Sequence, residues 1–371
     1  MRRPLRNILT IAAVAAGLAA APLGGGYASN RGYVQKNLVS NDTSTVLAAH
    51  QDTTLLNPWG ITFFPGGPFW INANGSGISA LYNGDGTGFR GADPALAVTI
   101  PLPKGGRPPA APTGILANSA FSFKLKSNSA PANFIFATED GTISAWNGGI
   151  GIPGTAELEV DNSTKRCSNG ATGAVYKGLA QGANTAGAFL FATNFRCATV
   201  DVFNGNFKPA VLSGNFHDPG IPVGFAPFGI ANIRGNLVVS YAKQDAQKHD
   251  DVARLGNGFV DIFDTNGNMI ERFATRGLLN SPWGIVEAPF NFGLFSNDLL
   301  IGNFGDGTIN AFTSNRSFQG KLMKPSNQPI VIDGLWALIF GGASLSSPST
   351  LYFTSGPNHE NDGLVGTLTP Q

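Results

Sequence analysis

The sequence predicts an all-β chain folded as a six-bladed β-propeller, and three observations carry that prediction. A short Gly-and-aliphatic signature recurs six times, each copy is followed by an apolar strand, and the composition suits short strands and tight turns. The signature reads PWGI at 58–61, PTGI at 112–115, YKGL at 176–179, PFGI at 227–230, PWGI at 282–285 and, degraded, LWAL at 335–338. Successive spacings from Gly60 to Ala337 are 54, 64, 51, 55 and 53 residues, a period that marks a repeat architecture.

Each signature opens a unit. The second strands are FWINAN, FIFATE, FLFATN, LVVSYAK, LLIGN and LYFTSG. A third strand follows a Gly- or Asp-rich turn: ISALY, ISAW, VDVF, VDIF, INAF and, weakly, VGTL. Four units add a fourth apolar stretch, such as MIERF. Turns of the D-G-T and N-G-D-G kind supply positive φ at Gly and an Asp that bonds its own backbone. A meander this small cannot bury both faces and leaves open edges, whereas six packed around an axis cover one another. Blade six ends near Leu368 without an outer strand, so the early segment YVQKNLV (33–39) is expected to pair with it and close the ring. Trp59, Trp283 and Trp336 share one position of the unit, and they are expected, with Phe136, Phe191 and Phe353, to pack between blades.

Ahead of the ring, Arg2, Arg3 and Arg6 precede an apolar run from Ile8 to Leu23. That is the pattern of a secretory signal, with cleavage points after Ala21 or Ala28. The run is shorter than a bilayer span requires. The expected organisation is a signal peptide at 1–28 and one propeller domain at 29–371, secreted to the extracellular space or periplasm and not membrane-bound after cleavage. Two cysteines, Cys167 and Cys197, lack neighbouring Cys or His at zinc spacing and read as a disulfide in an exported chain. A net charge of +1 with interspersed signs gives no case for nucleic acid or an anionic membrane. A small-molecule substrate and a monomeric protein are expected instead.

Propellers bind ligands at the channel mouth. Aligned on the second strands, the strand-end positions are Asn74, Glu139, Asn194, Lys243, Asn303 and Gly356, with Asp140, Gln244, Asp245, Asp306 and Asn358 nearby. Carboxylates and carboxamides converging on one axis suit a hard divalent cation, Ca²⁺ first. Asn and Asp after a strand are also what hairpin turns use, but a Glu is not, and a lone carboxylate inside a channel needs a partner. Two loops add candidates. YAKQDAQKHDDV (241–252) gathers His249 with Asp250 and Asp251, a base with an orienting carboxylate or a set of metal ligands. SGPNHEND (355–362) offers His359, Glu360 and Asp362, as ligands or as a general acid and base. No nucleophile elbow, H-E-x-x-H helix or phosphate-cradling Gly loop occurs, which disfavours serine-triad hydrolysis and nucleotide chemistry.

The elements L-N-P-W-G-I, F-A-T-E-D-G-T-I-S-A-W, Y-A-K-Q-D-A-x-K-H-D-D-V and G-N-G-F-V-D-I-F-D-T-N-G together resemble an uncharacterised family of exported, NHL-like six-bladed propellers. More distantly the chain is similar to the gluconolactonase and paraoxonase propellers. That similarity implies a channel Ca²⁺ held here by Glu139, Asn194, Asp245 and Asn303. The reading that follows is a secreted, divalent-metal-dependent hydrolase or lyase acting on a lactone, ester or aryl ether. His249 or His359, with Asp250, Asp251 or Glu360, would move protons. The competing expectation is a non-catalytic propeller binding a glycan, peptide or cell-wall component, with at most a structural metal.

Overall fold

A computed structural model describes residues 32–371, so the expected signal segment lies outside the described residues. The regular structure of the described residues is almost entirely β-strand, with three single-turn 3₁₀ segments and no α-helix among those residues. None of its helical segments is long and apolar enough to cross a membrane.

Six sheets, antiparallel apart from two short parallel edge pairings at His50–Gln51 and Gly154–Thr155, form the blades of a propeller. Their innermost strands are Pro58–Thr62, Pro112–Ala117, Tyr176–Asn184, Phe225–Ile233, Pro282–Glu287 and Leu335–Phe340, each the site of one signature. These strands neighbour one another in chain order, and the last returns to the first, so the ring is closed. Blades one, two, four and five carry their own fourth strand, while blade three stops at three. Blade six takes its outer strand from the other end of the chain. Tyr33–Ser40 runs antiparallel to Leu364–Pro370, from Tyr33 opposite Pro370 to Ser40 opposite Leu364, which is the closure the sequence predicts.

The signature has a structural cause. All six inner strands slip register at it, between Pro58 and Ile61, Pro112 and Ile115, Tyr176 and Gly178, Pro227 and Ile230, Pro282 and Gly284, and Leu335 and Leu338. A bulge re-aims side chains. Here it turns the residue before the Gly toward the axis and brings neighbouring inner strands very close together. A Cβ on Gly178 would stand 3.1 Å from the Phe228 carbonyl oxygen, one on Gly284 2.6 Å from that of Trp336, and one on Gly229 would collide with that of Trp283. Side chains of the second strands, and Thr113 of an inner strand, bind carbonyls at or beside the bulges. Asn72 donates to Thr113 at 3.0 Å, Thr113 to Tyr176 at 2.7 Å, Thr193 to Phe228 at 2.7 Å, Ser240 to Pro282 at 2.6 Å and Thr354 to Trp59.

Six apolar clusters fill the spaces between sheets. Phe136, Phe191 and Phe353 are fully buried in them, each burial contributing roughly 1.5–3 kcal/mol. Cys167 and Cys197 form a disulfide, as expected.

Candidate active site

At the position before each signature Gly, or before Ala337, stand Trp59, Thr113, Lys177, Phe228, Trp283 and Trp336, all of them buried. Three tryptophans, supported by neighbouring Phe residues, form the floor of the mouth. Trp59 stacks on Trp336 with ring centres 3.4 Å apart, Trp283 meets both edge-on at 6.0 and 5.7 Å, and Phe304 stacks on the far side of Trp336 at 3.9 Å. The tryptophans therefore pack between blades, at the centre of the ring. Further along the inner strands the signature glycines and their aliphatic neighbours line a narrow channel of about 110 Å³.

Lys177 is the exception in this floor. Its side chain is 2% exposed, and its ammonium lies 5.1 Å from the Trp59 ring centre and 5.9 Å from that of Phe195. The ammonium is bonded to Oε1 of Glu139 and, at 3.3 Å, to Oδ1 of Asp250. Burial works against its charge, but Glu139 and Asp250 outweigh burial and raise its pKa. Sequence reasoning passes over this residue. The signal is present as a lysine in YKGL, at a position where four other units place an aromatic ring.

Glu139 follows the second strand of blade two, Phe134–Thr138. Its backbone N–H donates to the Ala111 carbonyl at 2.9 Å, and its Oε2 accepts from Asn74 Nδ2 at 3.0 Å. The partner that a channel carboxylate requires is thus Lys177. Asp140 beside it is pushed up by burial, with the Glu139 charge adding to that.

The insertion in blade four is a tight hairpin. Gln244 bridges to Asp251, the Asp245 amide donates to the Asp250 carbonyl at 2.8 Å, and Gln244 Nε2 ties the loop to the Phe195 carbonyl at 2.5 Å. At its tip His249 Nδ1 lies 2.8 Å from Asp250 Oδ1. That hydrogen bond, reinforced by Lys177, holds Asp250 well below the ordinary carboxylate range. An ionised carboxylate can only accept, so Nδ1 carries the proton and Nε2 is the open nitrogen. Asp251 is pushed up by burial, opposed by Ser281 and Lys177, and its Oδ2 has no partner.

The blade-six loop closes the mouth. Asn358, His359 and Glu360 all sit in the left-handed region, with φ of 56°, 55° and 65°. Such a run costs roughly 1–2 kcal/mol per residue, and backbone strain of this kind collects at functional sites. His359 is exposed. Glu360 is exposed too, but desolvation of its carboxyl, with the Glu139 and Asp250 charges adding to it, pushes it up to about 6 against the pull of Asn57 and Lys177. Asn57 Nδ2 donates to its Oε2 at 2.7 Å.

The structure therefore brings together Glu139, His249, Asp250 and Glu360, with Asp251 behind them. Asp245 is not among the carboxylates and imidazoles that come within 4.8 Å of one another here, and the oxygens of Asn194 and Asn303 have hydrogen bonds of their own. Asn194 Oδ1 accepts the backbone N–H groups of Val175 and Cys197 at 3.2 Å each, Asn303 Oδ1 accepts that of Asn280 at 3.1 Å, and Asp245 Oδ1 accepts that of His249 at 2.8 Å. Asp245 organises its own turn, whereas Asn194 and Asn303 also tie their strand ends to the segments entering the inner strands, 19 and 23 residues earlier. Glu139, His249 and Asp250 do offer ligand atoms within 4.8 Å of one another. Yet the Lys177 ammonium is already bonded to two of the three and brings the positive charge that an ion would supply, so a divalent cation does not fit the site as built.

Fold and site define a six-bladed propeller with a charge-compensated lysine and a rim of titratable side chains at its axial mouth. The chain belongs to the family of the uncharacterised protein R648 of Acanthamoeba polyphaga mimivirus, with which it is 33% identical over 340 residues, 89% of this chain and 78% of that protein. The uncharacterised protein L690 of the same virus is 31% identical over 338 residues, covering 89% of this chain and 84% of its own. Among solved structures, selenomethionine-substituted virginiamycin B lyase from Staphylococcus aureus is similar in fold, with 16% identity, a TM-score of 0.52, and coverage of 91% of this chain and 99% of that one. No protein-family model matches the chain.

Proposed function

We propose that this protein is an exported lyase or hydrolase that moves protons on a small organic molecule bound at the axial mouth. One observation carries the reading: side chains from blades two, three, four and six meet over an aromatic floor with one carboxyl held low, Asp250, and another pushed up, Glu360. Environments that drive neighbouring titratable groups apart mark acid and base roles. His249 Nε2 takes a proton from the substrate in an elimination, or from the attacking water in a hydrolysis, and Asp250 holds the ring and stabilises the imidazolium that forms. Glu360 returns a proton to the leaving group, or to the oxygen that becomes one. Lys177 stays charged and paired, so it is a fixed positive charge and not a nucleophile. We read it as standing where the sequence pattern suggests a divalent ion. Similarity in fold to a lyase supports the class without naming the substrate, and the disulfide agrees with export.

The test is turnover of lactone, ester and aryl-ether probes with and without EDTA, alongside elemental analysis. Turnover that survives EDTA and is lost in both His249→Gln and Glu360→Gln supports the reading. Full activity in either variant, or turnover that vanishes with EDTA, refutes these roles. Ligand binding with no turnover of any probe would favour a binding propeller.

A further inference from the structure

The floor does more than support the mouth. Trp336 Nε1, on a side chain 1% exposed, donates to Asn57 Oδ1 at 3.1 Å. An indole N–H can only donate, so this contact decides which end of the Asn57 amide points where. Its NH₂ must face the other way, toward Glu360 Oε2 at 2.7 Å. An oxygen that accepts from an amide N–H is not free to carry the acidic proton outward along the same line. When Glu360 is protonated, its proton is left to Oε1.

The surroundings hold this arrangement. Asn57 is 4% exposed and takes φ of 45°, a left-handed conformation that Asn tolerates better than most residues. Its N–H donates to the Asp362 carbonyl at 3.1 Å and its own carbonyl accepts from Asn74 at 3.0 Å, so the backbone is fixed at both ends. On the far side, Glu360 N–H donates to the Gly356 carbonyl at 3.1 Å, and Gly356 lies so close to Asn57 Oδ1 that a Cβ there would collide with it. The charged groups around the Glu360 carboxyl are Glu139 of blade two, Lys177 of blade three and Asp250 of blade four.

We infer that Asn57, oriented by the indole N–H of Trp336, is a positioning residue that keeps Oε2 of Glu360 bare and makes Oε1 its proton carrier. The inference rests on the assignment of Glu360 as the general acid. Its test is a readout that Trp336, which does not touch Glu360, should move only through the amide: the Glu360 carboxyl midpoint followed by ¹³C NMR of glutamate-labelled protein, assigned with Glu360→Gln. Trp336→Phe keeps the ring stack and removes the N–H. Asn57→Gly removes the amide at a backbone angle that glycine accepts freely. Asn57→Gly deletes the hydrogen bond to the ionised form, and Trp336→Phe frees the amide to turn that donor away, so each raises the midpoint by about one pH unit. The double variant should rise no further than the singles. A midpoint unchanged in Trp336→Phe, or effects that add in the double variant, would overturn the relay. If the midpoints move as expected while Glu360→Gln retains turnover, the relay stands and the assignment of Glu360 as acid falls.

Discussion

Lys177→Met isolates the interaction on which the mouth is built. Methionine keeps most of the length and the apolar contact with Trp59 but carries no charge. It would leave the Glu139 side chain, 12% exposed, with Asn74 as its remaining donor. Removing one partner of a buried ion pair costs about 3–5 kcal/mol, chiefly because the other charge stays buried and uncompensated. The 65% exposed Asp250 adds little, since solvent screens it. The cation–π contact at 5.1 Å adds at least about 0.5 kcal/mol, partly replaced by the thioether. The expected loss is therefore about 3–4 kcal/mol. In Lys177→Met with Glu139→Gln no buried charge remains, and most of that loss should be recovered, giving a coupling energy of at least about 2 kcal/mol. Urea unfolding followed by tryptophan emission reads all four species. A single variant that loses less than about 1 kcal/mol, or a double variant whose loss equals the sum of the singles, would show that the lysine is not what compensates Glu139.

Glu360 makes stability depend on pH in the direction opposite to Asp250. Because folding raises the Glu360 pKa from 4.5 to about 6, the folded state loses stability as pH rises through that window, whereas Glu360→Gln should be flat there; thermal melts at close pH intervals decide it. Asp250 is held below its usual value of 3.8, so its contribution is present above that pH and lost as pH falls beneath it, and Asp250→Asn should remove that acid-side slope. Gly229→Ala should destabilise by at least about 1–3 kcal/mol, because its Cβ would enter space held by the Trp283 carbonyl and Ser240, and a melting temperature equal to the parent would contradict the close approach of inner strands. The disulfide joins residues 30 apart in sequence, so a Cys167→Ala and Cys197→Ala pair should lose roughly 3–4 kcal/mol in denaturant titration, and an unchanged midpoint would refute the chain-entropy account.

How much of the molecule is legible without coordinates depends on the kind of information each feature needs. The ring needs only period and pattern, and the six signatures carry both. The closing strand follows from counting strands in blade six. Glu139 stands out because turn chemistry does not use Glu, and its need for a partner follows from the cost of a lone carboxylate in a channel. Lys177, that partner, is hidden because the Gly in YKGL marks the repeat, while the odd residue beside it matches no chemical motif. Asn194 and Asn303 read as ligands because residue type tells which lone pairs exist but not where they go. In the fold those oxygens accept backbone N–H groups of the segments that lead into the inner strands, at Val175 and Asn280. The Trp336–Asn57–Glu360 chain spans three segments 279 and 303 residues apart from Asn57, which no local pattern can reveal.

Where the ring shuts also governs how the protein is made. Its first strand, Tyr33–Ser40, has its partner in the last, Leu364–Pro370, and the Gln371 amide meets the Gly32 carbonyl at 3.1 Å. A ribosome finishes the mate some three hundred residues after the strand that awaits it, so an early segment must be kept from other pairings until that mate emerges. The same adjacency means that a short tether between the two ends, with a new start cut into a turn between blades, should yield a permuted chain whose blades still all find one another.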